Sequence, residues 1–449
     1  MFYLCGMQKK FISYIKDEHL FNPKDKILLA TSGGIDSVVM CHLFHSTGLQ
    51  FAIAHCNFQL RDKESEEDEQ FVKQLALAYN VPFHHIRFNT KEYVNKNKLS
   101  TQVAARELRY EWFEKIRIEN NYHSIATAHH QGDVIETFFI NLIRGTGISG
   151  LRSIVPKQGN IIRPLLYTTR KEILAYAKDH QIGYREDSSN ASDDYLRNKI
   201  RHHLIPVLNE LSPAAESSIT YSIDKLRDAE AIYRQSIEDV RSSICVKKNN
   251  TIRISIAELK KLNPVSTYLF ELLKPYGFNS AVTTGILGIL DGEPGKEFFS
   301  SSNRLVKDRD FLLIEPFSTI ETPAVYFISK DQVDLQTPQL NLEFYHKPYS
   351  AEMSLLKTDD TALIDEDKLQ FPLTIRKLKA GDTFHPLGMK GKKKLSDFFI
   401  DKKLSLIEKE NTWLLCSGEE IVWVIGMRLD ERFKVTFQTK NIFQLKLNS

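Results

Sequence analysis

Along the first 180 residues, short solid apolar runs alternate with stretches of helical spacing. The runs are Lys26–Ala30, Gln50–His55, Phe83–Ile86 and Ser124–Thr127. Between and after them, Val38–Phe44, Asp68–Tyr79, Val103–Ile118 and Asp133–Ile143 place apolar residues three and four apart, as an amphipathic helix does. Strand and helix in alternation predict an α/β domain, Rossmann-like, with a mostly parallel sheet. Ala214–Ile244 then runs without Pro or Gly and predicts one long helix. More helix follows, with short strands near Phe298 and Phe311–Ile314, which makes the middle region mainly helical. Glu420–Ile425 and Phe443–Leu447 alternate as strands of a small mixed α/β terminal domain. Residues 316–350 hold several prolines and no helical run, so they read as a connector with some strand content. The expected division is 1–205, 206–315, a connector at 316–370, and 371–449.

Composition narrows the class. The chain has 449 residues, 42% hydrophobic and 26% charged, as ordinary globular proteins are. It has no apolar stretch near the ~20 residues of a membrane helix, and Gln8-Lys9-Lys10 interrupts the apolar start, against a secretion signal. The five cysteines, at 5, 41, 56, 245 and 416, are odd in number and unpaired in sequence. That pattern argues against a disulfide scaffold or a thiolate metal site and for reduced, cytoplasmic thiols. The net charge of +3 is unevenly spread. Phe371 to Glu410 carries a net +5, so the remainder sums to −2. An anionic partner is expected at that segment.

The candidate chemistry begins at Leu28-Leu29-Ala30-Thr31-Ser32-Gly33-Gly34-Ile35-Asp36-Ser37. A strand entering Ser-Gly-Gly turns tightly and brings bare amides to an anion, and the following helix adds its N-terminal dipole. Ser32 and Ser37 can donate to phosphate oxygens. Asp36 is suited to holding Mg²⁺ against those phosphates. A lone Gly-Gly would be consistent with a plain turn, but the whole set after a first strand favours nucleotide binding. A Walker A loop is absent. Gly145-Thr146-Gly147-Ile148-Ser149-Gly150 follows a helix and not a strand, so it is no dinucleotide fingerprint and reads as a helix stop with a flexible loop.

A second constellation, Ala128-His129-His130-Gln131-Gly132-Asp133-Val134-Ile135-Glu136-Thr137, begins where the Ser124–Thr127 strand ends. The carboxyl ends of strands are the ligand edge of an open parallel sheet. His129, Asp133 and Glu136 are spaced to share one helical face. Asp133 there could bind metal or take a proton from an amine, and a helix-capping network is the alternative. Arg106 and Arg109 share another helical face and could neutralise phosphate.

Ser-Gly-Gly-x-Asp-Ser resembles the signature of the PP-loop ATP pyrophosphatases, and within that superfamily the chain resembles the tRNA(Ile)-lysidine synthetase family. His55-Cys56-Asn57-Phe58-Gln59-Leu60-Arg61 is similar to a diverged form of that family's His-x-Asn-His-x-x-Arg stretch. Arg144–Gly147, Ile162-Arg163-Pro164-Leu165-Leu166, Glu186-Asp187-Ser188-Ser189-Asn190 and Arg197-Asn198-x-Ile200-Arg201 match its later motifs in order. Gly381-Asp382, Pro386-Leu387-Gly388 and Lys394–Phe399 resemble its terminal domain. One departure stands out: Gly132-Asp133 replaces the family's Asp-Asp.

The resemblance implies ATP-dependent ligation of free L-lysine to carbon 2 of the wobble cytidine of a tRNA(Ile) with a CAU anticodon, by way of an adenylated base. It implies ATP bound by Ser32, Gly33, Gly34, Ile35, Asp36 and Ser37, and Mg²⁺ held by Asp36 and Asp133. Catalysis would fall to Asp36, Asp133, Arg109 and His129, with Asp133 as the base for the amine. Arg197, Arg201, Lys390, Lys392, Lys393 and Lys394 would contact tRNA phosphates, and the family precedent is a homodimer. The rival readings are a PP-loop tRNA thiolase, which would want paired cysteines, a non-catalytic RNA-binding protein, and a small-molecule amide ligase. The intact loop argues against the second and the basic segment against the third.

Overall fold

A computed structural model describes residues 6–60, 62–185, 196–248, 250–316, 325–350 and 358–448. Arg61 and the Glu186–Asn190 motif lie outside the described residues. The chain divides into two compact units, Met1–Arg234 and Gln235–Ser449.

The first unit is built on a six-stranded sheet of β1 (Ile27–Ala30), β2 (Phe51–Asn57), β3 (Phe83–Arg87), β4 (Ser124–Thr127), β5 (Lys157–Gln158) and β6 (Ile161–Ile162). Its order is β3-β2-β1-β4-β6-β5, parallel except for β5 against β6. Strands covered on both faces must be apolar throughout, which is why Ile27-Leu28-Leu29 reads as a solid run. Successive residues still alternate between faces. Ile27 and Leu29 join the cluster of Phe11, Val39, Phe44 and Ile53, whereas Leu28 faces Trp112, Phe113 and Ile125 on the other side.

Helices α1 (Gly6–Asp17), α2 (Ile35–Ser46), α3 (Asp62–Ala78), α4 (Thr90–Asn97), α5 (Thr101–Glu119), α6 (Gln131–Arg144), α7 (Ile148–Leu151) and α8 (Arg170–Asp179) complete the layers. In α2, Ile35, Val38, Val39, Met40, Cys41, Leu43 and Phe44 are all buried, so it is the central helix. The Gly145–Gly150 string departs from the loop expected. Gly145, at φ +69°, caps α6, and α7 follows at once. A Cβ on Gly150 would lie 2.1 Å from Thr146 Oγ1, so that glycine serves close packing.

Further on, α9 (Leu196–Lys199) passes through a π-turn at Ile200–Leu204 into α10 (Ile205–Leu211), and the expected long helix is α11 (Ala215–Ile244). It does not belong to the middle region alone. Its first two-thirds dock on the first unit, with Ile223 fully buried against Val134 and Leu166. Arg227 of the same helix donates to the carbonyls of Arg152 and Ile154. The apolar stripe is continuous, so sequence alone gave no reason to cut the helix at Arg234.

In the second unit, helices at Ile256–Leu259, Val265–Leu273 and Ser280–Leu287 pack on an antiparallel sheet of five strands lying between Cys245 and Pro316. The stretch expected to be a connector is not one. Tyr326–Ile328 pairs with Leu373–Lys377, and Asn341–Pro348 pairs with the last strand, Asn441–Leu447. Ile328, Leu342 and Phe344 share one core with Trp413, Trp423 and Phe443. Alternation there is masked by charged outward residues, so the strands looked like linker. Arg304 ties its own sheet to the helix Leu406–Asn411 by pairing with Glu297, Glu315 and Glu410.

Docking of α11 gives a direct test. Ile223→Ala should destabilise the first unit by about 2–4 kcal/mol, the transfer and cavity cost of a buried large aliphatic. Ile232→Ala, on a residue 73% exposed, should stay within about 0.5 kcal/mol of wild type. Equal denaturation midpoints for the two variants would show that α11 does not pack on the first unit.

Candidate active site

The strand order reverses at β1: β2 and β3 lie to one side and β4 to the other. The chain therefore leaves β1 and β4 side by side, at the crevice where open sheets bind ligands. Both sequence constellations are brought to this edge.

After β1, Thr31 N donates to Ala54 O, and the buried His55 ring contacts Thr31 O at 2.9 Å, fixing the strand exit. Gly33 sits at φ +98°, a conformation costly for any side-chain-bearing residue. Ser32 N and Gly33 N both donate to Ser37 Oγ, which in turn donates to Gly34 O. A hydroxyl thus occupies the nest of amides that a phosphate oxygen would take. Gly34 is the N-cap of α2 and supplies no side-chain cap, so the first amides of this twelve-residue helix remain for an anion.

Asp36 lies in the first turn of α2. Its Oδ2 pairs with Arg170 Nη1, whereas its Oδ1 is buried and has no hydrogen-bond partner. An orphaned buried carboxylate oxygen beside an amide nest fits a hard cation. Among the described residues no three His, Cys, Asp or Glu side chains converge on one point. Such a site suits Mg²⁺, which keeps water and phosphate oxygens as most of its ligands. Arg170 was not singled out in the sequence. It stands at the start of α8, whose Thr169–Glu172 capping box fixes that terminus.

After β4, the geometry corrects the expected roles. His129 precedes α6, so it shares no helical face with Asp133 and Glu136; its Nδ1 contacts Thr127 Oγ1 at 2.9 Å. Burial, reinforced by Arg163, Arg197 and Arg106, pushes its ring down to about 4, so it is neutral at pH 7. His130 is the N-cap: its Nδ1 accepts from Gly132 N at 3.0 Å, and Asp133 Oδ2 accepts from His130 N at 3.0 Å. Asp133 is therefore one half of a capping box. Burial opposes its ionisation, but His130, His129 and the His130 amide hold it below the usual carboxylate range. A carboxylate so held is less basic than a free one, and its Oδ2 is engaged in the cap. A Cβ on Gly132 would approach His130 Cε1 to 2.8 Å, so the folded-over imidazole requires the glycine that departs from the family pattern.

Glu136 behaves differently. It is 2% exposed, and burial pushes its carboxyl above the ordinary range despite its cations. Arg201 grips both its oxygens, at 2.6 and 3.1 Å, and Arg197 lies 3.5 Å away while donating to Thr137 Oγ1. The two arginines expected to meet tRNA phosphates are thus turned onto α6. The π-turn after α9 lies within this stretch, an irregularity common at functional sites. Arg109 is also placed elsewhere than expected. Its guanidinium covers the Phe58 ring at 5.1 Å, and Phe58 stacks on Phe88, so it stands at the β2–β3 side. Arg170 is the cation at the glycine loop.

Cys41 and Cys56 are held away from the thiolate form. Burial pushes Cys41 and Cys56 up to about 12. In the second unit, Lys390, Lys392 and Lys394 are exposed, but Lys393 is paired with Asp401. The nearby Gly381-Asp382 turn is structural, since Asp382 holds Arg376 through two bonds of 2.7 and 2.8 Å. Among the described residues no helix is long and apolar enough to cross a membrane.

Comparison with known proteins agrees with this architecture. Residues 6–208 match the family model described as a PP-loop domain, 247–317 the TilS substrate binding domain and 373–447 the TilS substrate C-terminal domain. The tRNA(Ile)-lysidine synthase of Bacteroides thetaiotaomicron is 42% identical over 98% of this chain and 100% of its own. That of Parabacteroides distasonis is 43% identical over 96% of this chain and 97% of its own, and that of Porphyromonas gingivalis 39% over 94% of each. With near-complete coverage in both directions and a PP-loop ATP-binding domain at its start, the chain belongs to the tRNA(Ile)-lysidine synthase family.

Proposed function

We propose that this chain ligates free lysine to carbon 2 of the wobble cytidine in a tRNA(Ile) with a CAU anticodon. The observation that carries the reading is Asp36, with one carboxylate oxygen unpartnered at the uncapped start of α2. Full-length similarity to lysidine synthases supports the substrate. The base O2 attacks the α-phosphorus of ATP and pyrophosphate leaves. The ε-amine of lysine then attacks carbon 2, and AMP departs with that oxygen.

The loop amides and Arg170 receive the triphosphate and the charge of the departing pyrophosphate. Mg²⁺, held by Asp36, supplies further charge neutralisation there when bound. His129, neutral, offers a hydrogen bond without competing for anions. The attacking amine must lose a proton, and of the two buried carboxylates Glu136, which burial raises, is the favoured acceptor once Arg201 releases one of its oxygens. An anticodon base is accessible because loop nucleotides unstack readily into a pocket. Lys390, Lys392 and Lys394 add phosphate contacts in the second unit.

Purified protein, ATP, lysine and a transcript of this tRNA should yield lysidine on nucleoside digestion. An unmodified digest, with both substrates saturating, would refute the reading.

Asp36→Ala should lower tRNA-dependent pyrophosphate release by at least about 10²-fold. Its thermal midpoint should barely move, since a partly exposed ion pair contributes only about 0–1 kcal/mol. Near-normal release would remove Asp36 from the chemistry.

Glu136→Gln should let adenylated tRNA accumulate in single-turnover experiments, because amine attack slows more than adenylation. Asp133→Asn keeps a capping acceptor and should affect both steps mildly. The wild-type ligation step should rise with pH through a limb lying above the ordinary Glu value of about 4.3, because the base acts only when deprotonated. Accumulation in Asp133→Asn but not in Glu136→Gln would reverse the assignment.

Replacing Lys390, Lys392 and Lys394 together by Gln should weaken tRNA binding and reduce its log–log salt slope by about 2–3. ATP binding and discrimination between tRNAs should persist, because backbone contacts carry no sequence information. Lys393→Gln alone should do less, its charge being matched by Asp401. An unaltered slope in the triple variant would move the phosphate surface elsewhere.

A further inference from the structure

Arg163 has no role in the chemistry described so far, and its setting is unusual. It is 5% exposed, and Nη1 donates to Val155 O at 2.7 Å. Its Nε is buried without a partner, and no carboxylate pairs with it among the described residues. The groups whose charges act on it are Tyr110, Arg106 and Tyr14, and it in turn acts on His129. Arg106 likewise has no ion-pair partner among the described residues; its guanidinium lies over Tyr110 at 4.9 Å. Burying the Arg163 guanidinium without a counter-charge is costly, and the like charge of the exposed Arg106 nearby adds to that cost. Folding alone gives no reason to keep that arrangement, whereas an anionic ligand does.

The sheet register says where the ligand would sit. Ala126 of β4 pairs with Ile162 of β6, so Arg163 leaves the sheet level with Thr127, two residues before His129. It is at the same carboxyl edge as the glycine loop.

We propose that Arg163, assisted by Arg106, seats the α-carboxylate of the incoming free lysine and so selects an amino acid over a simple amine. This rests on the lysine-ligase reading above. A guanidinium with one donor anchored and a fork of donors unpaired matches a carboxylate in a way an ammonium cannot. Its burial suits the end of one small molecule better than the backbone of a polynucleotide. Among the described residues no acid meets that charge, and the lysine carboxylate would do so.

Cadaverine, which is lysine without its carboxylate, is the discriminating probe. Wild-type protein carrying pre-adenylated tRNA should favour lysine over cadaverine in kcat/KM. In Arg163→Gln that preference should shrink by roughly 10- to 100-fold, through a higher KM for lysine, with cadaverine little affected. Arg163→Lys should recover only part of it, and Arg106→Gln, at an exposed position, should shift it in the same direction by less. The Arg106 variant serves if Arg163→Gln fails to fold. A proportionate fall for both amines, or an unchanged preference, would overturn the proposal and leave Arg163 as a brace for Val155. If wild-type protein makes adenylated tRNA but transfers neither amine, the lysine reading itself is wrong, a result distinct from failure of the carboxylate seat.

Discussion

Everything at the site depends on the parallel pairing of β1 with β4 beside its pairing with β2. Ile27 aligns with Phe51 on one side and Ser124 on the other, so the chain reverses its order of strand addition at β1. A crevice opens there because the connections after β1 and β4 must leave in different directions. The amide nest, Asp36, His129 and the α6 capping box come together for that reason, though roughly a hundred residues separate them in sequence. Solid apolar strands and a central helix buried along most of its length hold the crevice rigid, which keeps dipoles preorganised where charge develops.

The arginines show how packing sorts charges that look alike in sequence. Arg170 meets Asp36, Arg197 and Arg201 meet Glu136, Arg109 lies on an aromatic ring, and Arg163 meets no acid among the described residues. Each placement changes the chemistry available. Burial raises the Glu136 carboxyl despite its cations, whereas His130 and its amide lower that of Asp133. Two carboxylates three residues apart on one helix thus acquire opposite tendencies from their surroundings.

Legibility followed locality. The glycine loop was readable because its signal is contiguous, a strand, then Ser-Gly-Gly-x-Asp-Ser, then a helix. The start of α6 was not, because a histidine ring does the capping that Ser, Thr, Asp or Asn usually perform, and His129 was read onto a helix it precedes. Arg170 reaches Asp36 across 134 positions, so no local signal pairs the two. The strand Asn341–Pro348 finds its partner a hundred residues later, in Asn441–Leu447, so no neighbouring signal marked it as core. Where a hydrophobic or charged pattern closes on itself within about twenty residues, it can be read; where its partner is remote, only the fold reveals it.

The proposed chemistry at this edge is adenylation of a base carbonyl followed by replacement of its oxygen by an amine. A tRNA carrying ¹⁸O at carbon 2 of the wobble cytidine tests it most directly, by mass spectrometry of the products of one turnover with lysine. The label should appear in the phosphate of AMP and be absent from both the modified nucleoside and pyrophosphate. Unlabelled AMP accompanied by formation of lysidine would contradict the account, because the oxygen would then have left by a route that the loop, Asp36 and Arg170 do not serve.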